Sequence, residues 1–395
     1  MIKRKKKNKQ ENPFYDPTLK ARHTSAKRFK KFTLTSLIFS IAFLAFFLFD
    51  LVAKGIPAFH VAYVKVDVTF NEKSIDDSRF AVEKELRDIV SRAWLRDIPT
   101  LLKEKPEYMN TTQNMLVLAD DQVDQYLKGH HHKLKDKEIK IVDELYSKGL
   151  IESKFNSIFF TNGDSKIPEY AGLYSAVIGS ILTLIITMAV AFPVGVMTAI
   201  YLEEFASDNK FTRFIEININ NLAAIPAILF GLLGLAIFIN LFGLPRSSPL
   251  VGGLTLALMT LPIIIVSSRA ALRAVPDSIR QAGYGLGLNK IQVTKDHVLP
   301  LAFPGILTGS ILGLAHAMGE TAPLIIIGMI AFIPDAPDSV AHAATVMPAQ
   351  LFTWAGMPEV MYIEKTAAGI MVLLTVLIAL NTIAIYLRKK FEVKW

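Results

Sequence analysis

Six long stretches of this 395-residue chain run almost without charge, and that pattern restricts the fold more than anything else in it. They lie at 33–49 (continuing past Asp50 to 53), 170–202, 217–245, 247–268, 298–319 (apolar again beyond Glu320) and 366–387. A soluble chain would alternate apolar and polar residues along most elements; here they are blocked. About 20 apolar residues as a helix cross a hydrocarbon core roughly 30 Å thick. In lipid the backbone must satisfy its own polar groups, so such blocks are helices. The fold class is therefore an all-α integral membrane protein with about six transmembrane helices.

The first apolar segment is an anchor, 33–54, rather than a cleavable leader. About 30 residues precede it, its apolar core is too long, and no small-residue cleavage site follows. Lys and Arg concentrate on alternate connections: 12 in residues 1–31, two at 203–216, five at 269–297 and four after 387. The two short intervening loops carry one each, Arg246 and Lys365. By the positive-inside bias both termini lie in the cytoplasm. The tail at 1–32, with its basic run at 3–7, suits contact with anionic headgroups. Nothing behind it resembles a nucleic-acid reading module. With no cysteine, the chain has no disulfide, thiol nucleophile or thiolate metal site.

Residues 55–169 form a hydrophilic insert on the outer side. From Lys54 to Glu169 it balances 18 basic against 20 acidic residues. Val64, Val66, Val68 and Phe70 alternate as in a strand. Helical spacing of Phe80, Leu86, Val90 and Trp94 predicts a helix over 76–98, with others at 121–127 and 136–150. The insert reads as a small α+β domain that contacts neighbours or a binding protein. His130, His131 and His132 stand together, but adjacent side chains diverge and no second ligand motif is near. They read as a solvated turn rather than a metal site.

The stretch 274–300 contains the chain's mechanical signal. Pro276 and Asp277 suit a helix start, and Gly285 and Gly287 stop it. Asn289 caps a second helix with Gln292 as its capping-box partner, and Pro300 marks re-entry into the membrane. This pair of short helices about a glycine turn resembles the coupling loop of ABC importer permeases, whose pattern is Glu-Ala-Ala, three residues, Gly, then an aliphatic residue and Pro. The counterparts are Gln281, Ala282, Gly283, Gly287, Leu299 and Pro300. Gln281 and Gly283 depart from the pattern, and Gln281 lacks a charge that would pair with an ATPase. The chain has no G-x-x-x-x-G-K-[ST] phosphate loop, so it is not read as an enzyme.

Beyond that loop, Ala-Phe-Pro-Gly-Ile-Leu-Thr-Gly at 302–309 and Gly-Glu-Thr-Ala-Pro-Leu at 319–324 resemble the PstA-type phosphate permeases. Tyr201-Leu-Glu-Glu-Phe205 and Asn221-Leu-Ala-Ala-Ile-Pro226 add to the likeness, which covers about 170–390. The resemblance implies a MetI-like permease core at 170–390 and a multi-pass protein of a bacterial inner membrane. It further implies a partner permease of the PstC type, two copies of a PstB-type ATPase that uses ATP and Mg, and a PstS-type phosphate-binding protein. This chain itself would bind no cofactor and no metal.

Glu320 is the residue at membrane depth that needs a reason, because an ionisable group there is costly and faces a pathway or a partner. His316 lies one helical turn earlier, and Thr321 and Pro323 follow; these four are the candidate pathway or gate residues. Phosphate near neutral pH keeps a P–OH that can donate to a carboxylate, and sulfate does not. The alternatives are pairing of Glu320 with an Arg of a partner permease, or local packing on His316. At the level of function, another ABC importer permease (for molybdate, sulfate or an organic solute) and a secondary transporter remain as rival readings.

Overall fold

The computed structural model describes residues 18–330 and 332–391, so the basic run at 3–7 lies outside the described residues. The chain divides into two units, residues 1–53 and 54–395. The first is made by α1 (Leu19–Gly55), a 37-residue helix that enters the second unit at its last two residues. Its first half is basic and its second half apolar, and at 1.5 Å per residue it is about 55 Å long.

In the second unit the insert is built on a three-stranded antiparallel sheet: β1 (His60–Thr69) lies between β2 (Thr112–Leu118) and β3 (Ile151–Phe155). Val64 faces Val117 on one side and Ile151 on the other, and Val66 faces Met115. With a side-chain period of two, Val64, Val66, Val68 and Phe70 are all buried while Lys65 and Asp67 point outward. Each of those buried side chains contributes about 1.5–3 kcal/mol. Two helices, α2 (Asp121–Leu127) and α3 (Asp136–Ser147), close this core through Val123 and Val142.

The helix expected over 76–98 is absent. The segment breaks into short turns, Ser78–Ala81 and Lys84–Leu86, and a short helix Arg92–Arg96. Its backbone is diverted to the sheet: Val90 bridges Ala119, and Ser91 N–H donates to Leu118 O. Ile89 and Val90 are thus buried beside the end of β2 instead of on a helix face, while Phe80 stays half exposed.

The membrane core follows. The helix α4 (Tyr174–Ile200) runs unbroken through Pro193. Next come α5 (Lys210–Ala223) and α6 (Ala227–Gly234), the latter continuing as a wide turn to Leu241. The pair bends by 103° at 224–226, so the third apolar block is a bent pair rather than one straight span. Pro226 holds extended backbone there, which a helix cannot pass without interruption. Then come α7 (Pro249–Arg273), α8 (Asp277–Gly285) and α9 (Leu299–Gly319), with α10 (Ala322–Ile326), α11 (Met347–Ala355) and α12 (Val360–Phe391) completing the chain. Among the described residues five helices are long and apolar enough to cross a membrane, or six with the bent pair counted as one. Close helix approach rests on small residues: a Cβ at Gly253 of α7 would lie 2.6 Å from Ile186 of α4.

Polar contacts bind the insert to α12. Glu364 accepts from Lys128 Nζ at 3.1 Å and stands 2.7 Å from His130 Nδ1, and Lys128 also pairs with Asp124 at 2.6 Å. Asp124 Oδ1 in turn accepts from the N–H of Ala62 in β1. His130 is therefore part of a half-buried joint, not a free solvated turn; His131 is exposed, and the His132 ring stands edge-on to Tyr126.

Candidate functional site

Two places combine unusual backbone with ionisable side chains. The first surrounds α8. Pro276 precedes this helix, Asp277 occupies its first turn, and Gly287 ends it at φ +81°. Gly287 N–H donates to Tyr284 O and Leu288 N–H to Gly283 O, the double closure that needs a left-handed residue after a helix. Asn289 then starts the next turn: its Oδ1 accepts from Gln292 N–H at 2.9 Å while Gln292 Oε1 accepts from Asn289 N–H at 2.9 Å. The second short helix is not separate. Lys290–Gln292 passes through a wide-turned stretch, Val293–Val298, straight into α9. The wider turn absorbs Pro300, whose missing N–H and ring disfavour a regular helical turn at that point.

Gly283 is explained by contact. A Cβ there would meet Val293 Cγ2 at 2.8 Å, so the departure from Ala seen in the sequence lets α8 fold back on the base of α9. Gln281, Ala282, Tyr284, Leu286 and Ile291 remain exposed, with Leu286 at 81%. Leu299 is half-buried and Pro300 exposed.

The support beneath this helix was not legible in its own stretch of sequence. Arg280 of α8 donates from Nη2 to Glu204 Oε1 at 2.6 Å and to Leu272 O at 3.1 Å, and from Nη1 to Val275 O at 2.8 Å. Glu204 is buried, in the wide turn Tyr201–Phe205 that ends α4. The neighbouring Glu203 accepts from Arg269 Nε at 3.3 Å and from Arg273 Nε at 2.7 Å, and Arg269 also pairs with Glu216 of α5. Arg269 and Arg273 are thus bonded members of a network joining α4, α5, α7 and α8. The adjacent Glu203 and Glu204 set against arginines four residues apart on α7 were the signal available for it.

The second place is the end of α9. The helix stops at Gly319, and Glu320 takes extended backbone at φ −83°, ψ 119°. The apolar run continuing past it is therefore not one helix but a break followed by α10. Glu320 Oε1 stands 3.4 Å from His316 Nε2, with the His316 side chain 52% exposed and that of Glu320 24%. Thr321 precedes α10, and Pro323 is buried within it. The α6 helix crosses closely here, since a Cβ at Gly231 would lie 2.7 Å from Pro323 Cα. His316, Glu320, Thr321 and Pro323 thus fall at one break. The coupling candidates, from Gln281 to Pro300, lie at the opposite end of α9. Of the asparagines near the bend, Asn218 donates within its own helix to Phe214 O.

Residues 191–393 match the family described as binding-protein-dependent transport system inner membrane component. Residues 16–86 match a domain of unknown function, DUF3333. The chain is 37% identical over 160 residues to the phosphate transport system permease protein PstA of Mycobacterium leprae, covering 40% of this chain and 52% of that one. It is 33% identical over 174 residues to the probable ABC transporter permease protein YqgI of Bacillus subtilis, covering 44% and 58%. With PstA of Yersinia pestis it shares 31% over 226 residues, covering 55% of this chain and 74% of that one. The chain thus spans little more than half the length of the first two relatives.

Proposed function

The chain belongs to the inner membrane components of binding-protein-dependent transport systems, as a PstA-type permease, and from that membership we propose that it forms half of the pathway of an ATP-driven phosphate importer. The observation that carries the solute path is the break at Glu320. Broken helices at membrane depth are tolerated where they line a cavity or meet protein. An exposed His316–Glu320 pair facing lipid would be costly, so that flank faces water or a partner permease. Glu320 as an acceptor favours a solute that keeps a proton. Phosphate donates its P–OH to the carboxylate, whereas sulfate leaves it unpaired.

The α8 helix is the docking element for a separate ATPase. Its exposed face of Gln281, Ala282, Tyr284 and Leu286 offers contact surface, and Arg280 ties it to α4 and α7. Movement imposed on α8 then reaches the membrane helices as a rigid body. This reading places α8 and both termini in the cytoplasm and the insert outside. Its partners are a PstC-type permease, two PstB-type ATPases that hold ATP and Mg, and a PstS-type binding protein; the chain itself performs no catalysis.

The test is uptake of radiolabelled phosphate by proteoliposomes containing this chain with those partners. ATP-dependent uptake that phosphate itself competes but sulfate does not is expected. Equal competition by sulfate, or uptake without ATP, contradicts the proposal.

A further inference from the structure

The insert carries a depression of about 700 Å³, set between the turn at 76–79, the segment at 84–88 and the short helix Arg92–Arg96. That volume is in the range of small-molecule sites. Its lining holds five cations against three carboxylates. Two of the carboxylates are already engaged. Asp77 pairs with Arg79 at 2.8 Å, and the Arg79 guanidinium holds the Asp77 carboxyl below its usual range. Asp88 stands 3.9 Å from Arg92.

Arg87 differs from these. Its guanidinium carbon lies over the Phe80 ring, 5.0 Å from its centre, a cation–π contact that helps to place the head group. Its Nε is buried without a hydrogen-bond acceptor. Among the described residues no carboxylate pairs with Arg87, so the outer nitrogens of its guanidinium can meet an anion in the depression. Arg96 lines the same depression from the face of its helix that also bears Arg92, one turn earlier, and Lys84 lines it as well. The planar guanidinium suits two-point contact with phosphate oxygens, and a lysine adds undirected charge.

We propose that this depression binds an oxyanion of the phosphate class, free or as a lipid headgroup, with Arg87 as the oriented fork and Lys84 and Arg96 as supporting charge. In the orientation proposed above it would open on the side from which solute arrives, but the binding itself does not rest on that orientation.

The test uses the full chain in nanodiscs of neutral lipid. Binding of radiolabelled inorganic phosphate is measured by equilibrium dialysis at fixed low salt for the wild type, Arg87→Gln, Arg96→Gln and Lys137→Gln. In a second arm, retention of phosphatidic acid doped into the nanodiscs is read by native mass spectrometry. Expected is a loss of affinity of at least about tenfold in both arginine variants, equivalent to about 1.4 kcal/mol, with Lys137→Gln, an exposed insert cation outside the depression, unaffected. If free phosphate does not bind but phosphatidic acid is retained by the wild type and lost in Arg87→Gln, the site stands with a headgroup as its ligand. If neither probe binds the wild type, if neither is lost in the arginine variants, or if Lys137→Gln weakens binding as much as they do, the site is refuted. Arg96 is exposed, so its variant keeps the test valid should Arg87→Gln unfold.

Discussion

Arg280 and Glu204, 76 residues apart in sequence, meet through two donors, Nη2 at 2.6 Å and Nε at 3.3 Å from the two carboxylate oxygens. The same guanidinium also donates to the carbonyls of Leu272 and Val275 at the end of α7. One side chain therefore fixes α8 to two membrane helices. Glu204 is 4% exposed at its side chain and Arg280 16%, so removing either partner leaves a charge stranded. Such a loss typically costs about 3–5 kcal/mol. The coupling helix is in this way a braced strut rather than a hanging loop.

Gly287 takes a backbone that proline cannot adopt, since proline fixes φ near −65° and this residue sits at φ +81°. Gly287→Pro is expected to destroy the closure of α8 and to abolish capture of the ATPase in a pull-down. Gly287→Asn, which tolerates left-handed backbone, should retain most of it. Equal capture by both variants would remove α8 from the docking surface.

Glu320→Gln keeps the shape of the side chain and exchanges an acceptor for a mixed group. Phosphate uptake should fall by at least about tenfold while assembly with the other subunits, followed by size-exclusion chromatography, is unchanged. Selectivity over sulfate should shrink as well. Wild-type uptake in this variant would place Glu320 outside the solute path.

Asp120, at the start of α2, has its carboxyl pushed up to about 8 by burial, with Asp121 and Glu169 close by adding like charge. An unfolded Asp ionises near 3.9. The folded insert therefore holds a proton between about pH 4 and 8 that the unfolded chain has released, and stability falls as pH rises through that window. The Asp120 contribution to the loss between pH 6 and 9 is on the order of 3 kcal/mol. Hydrogen exchange at the amides of α2 and β2 should be faster at pH 9 than at pH 6, after correction for intrinsic rates. Asp120→Asn should remove most of the difference, and a pH dependence left intact in that variant would contradict the assignment.

How much of this was readable in the sequence varied with the range of the interactions involved. The helices announced themselves because lipid demands long apolar runs. The caps at Pro276, Gly287 and Asn289 are local, and their residue types alone carry the geometry. Strands β2 and β3 were missed because they are short, and their pairing depends on β1, which lies far off in sequence. The run at 76–98 has helical spacing, but the sheet edge at Leu118 and Ala119 took its backbone. Neither the bend of 103° at Pro226 nor the crossing of α6 over α10 at Pro323 was legible, because both depend on contacts between helices distant in sequence. The Arg280–Glu204 contact required the fold itself to bring the end of α4 beneath α8.

The brace is tested most directly by reversing its charges. In the assembled transporter, ATP-dependent phosphate uptake is measured for Glu204→Arg, Arg280→Glu and the two combined, with ATPase binding followed in parallel. The account predicts that each single reversal abolishes uptake while the ATPase still binds, and that the double reversal restores a substantial part of it. Single variants with normal uptake, or a double variant no better than either single one, would contradict transmission through Arg280 and Glu204.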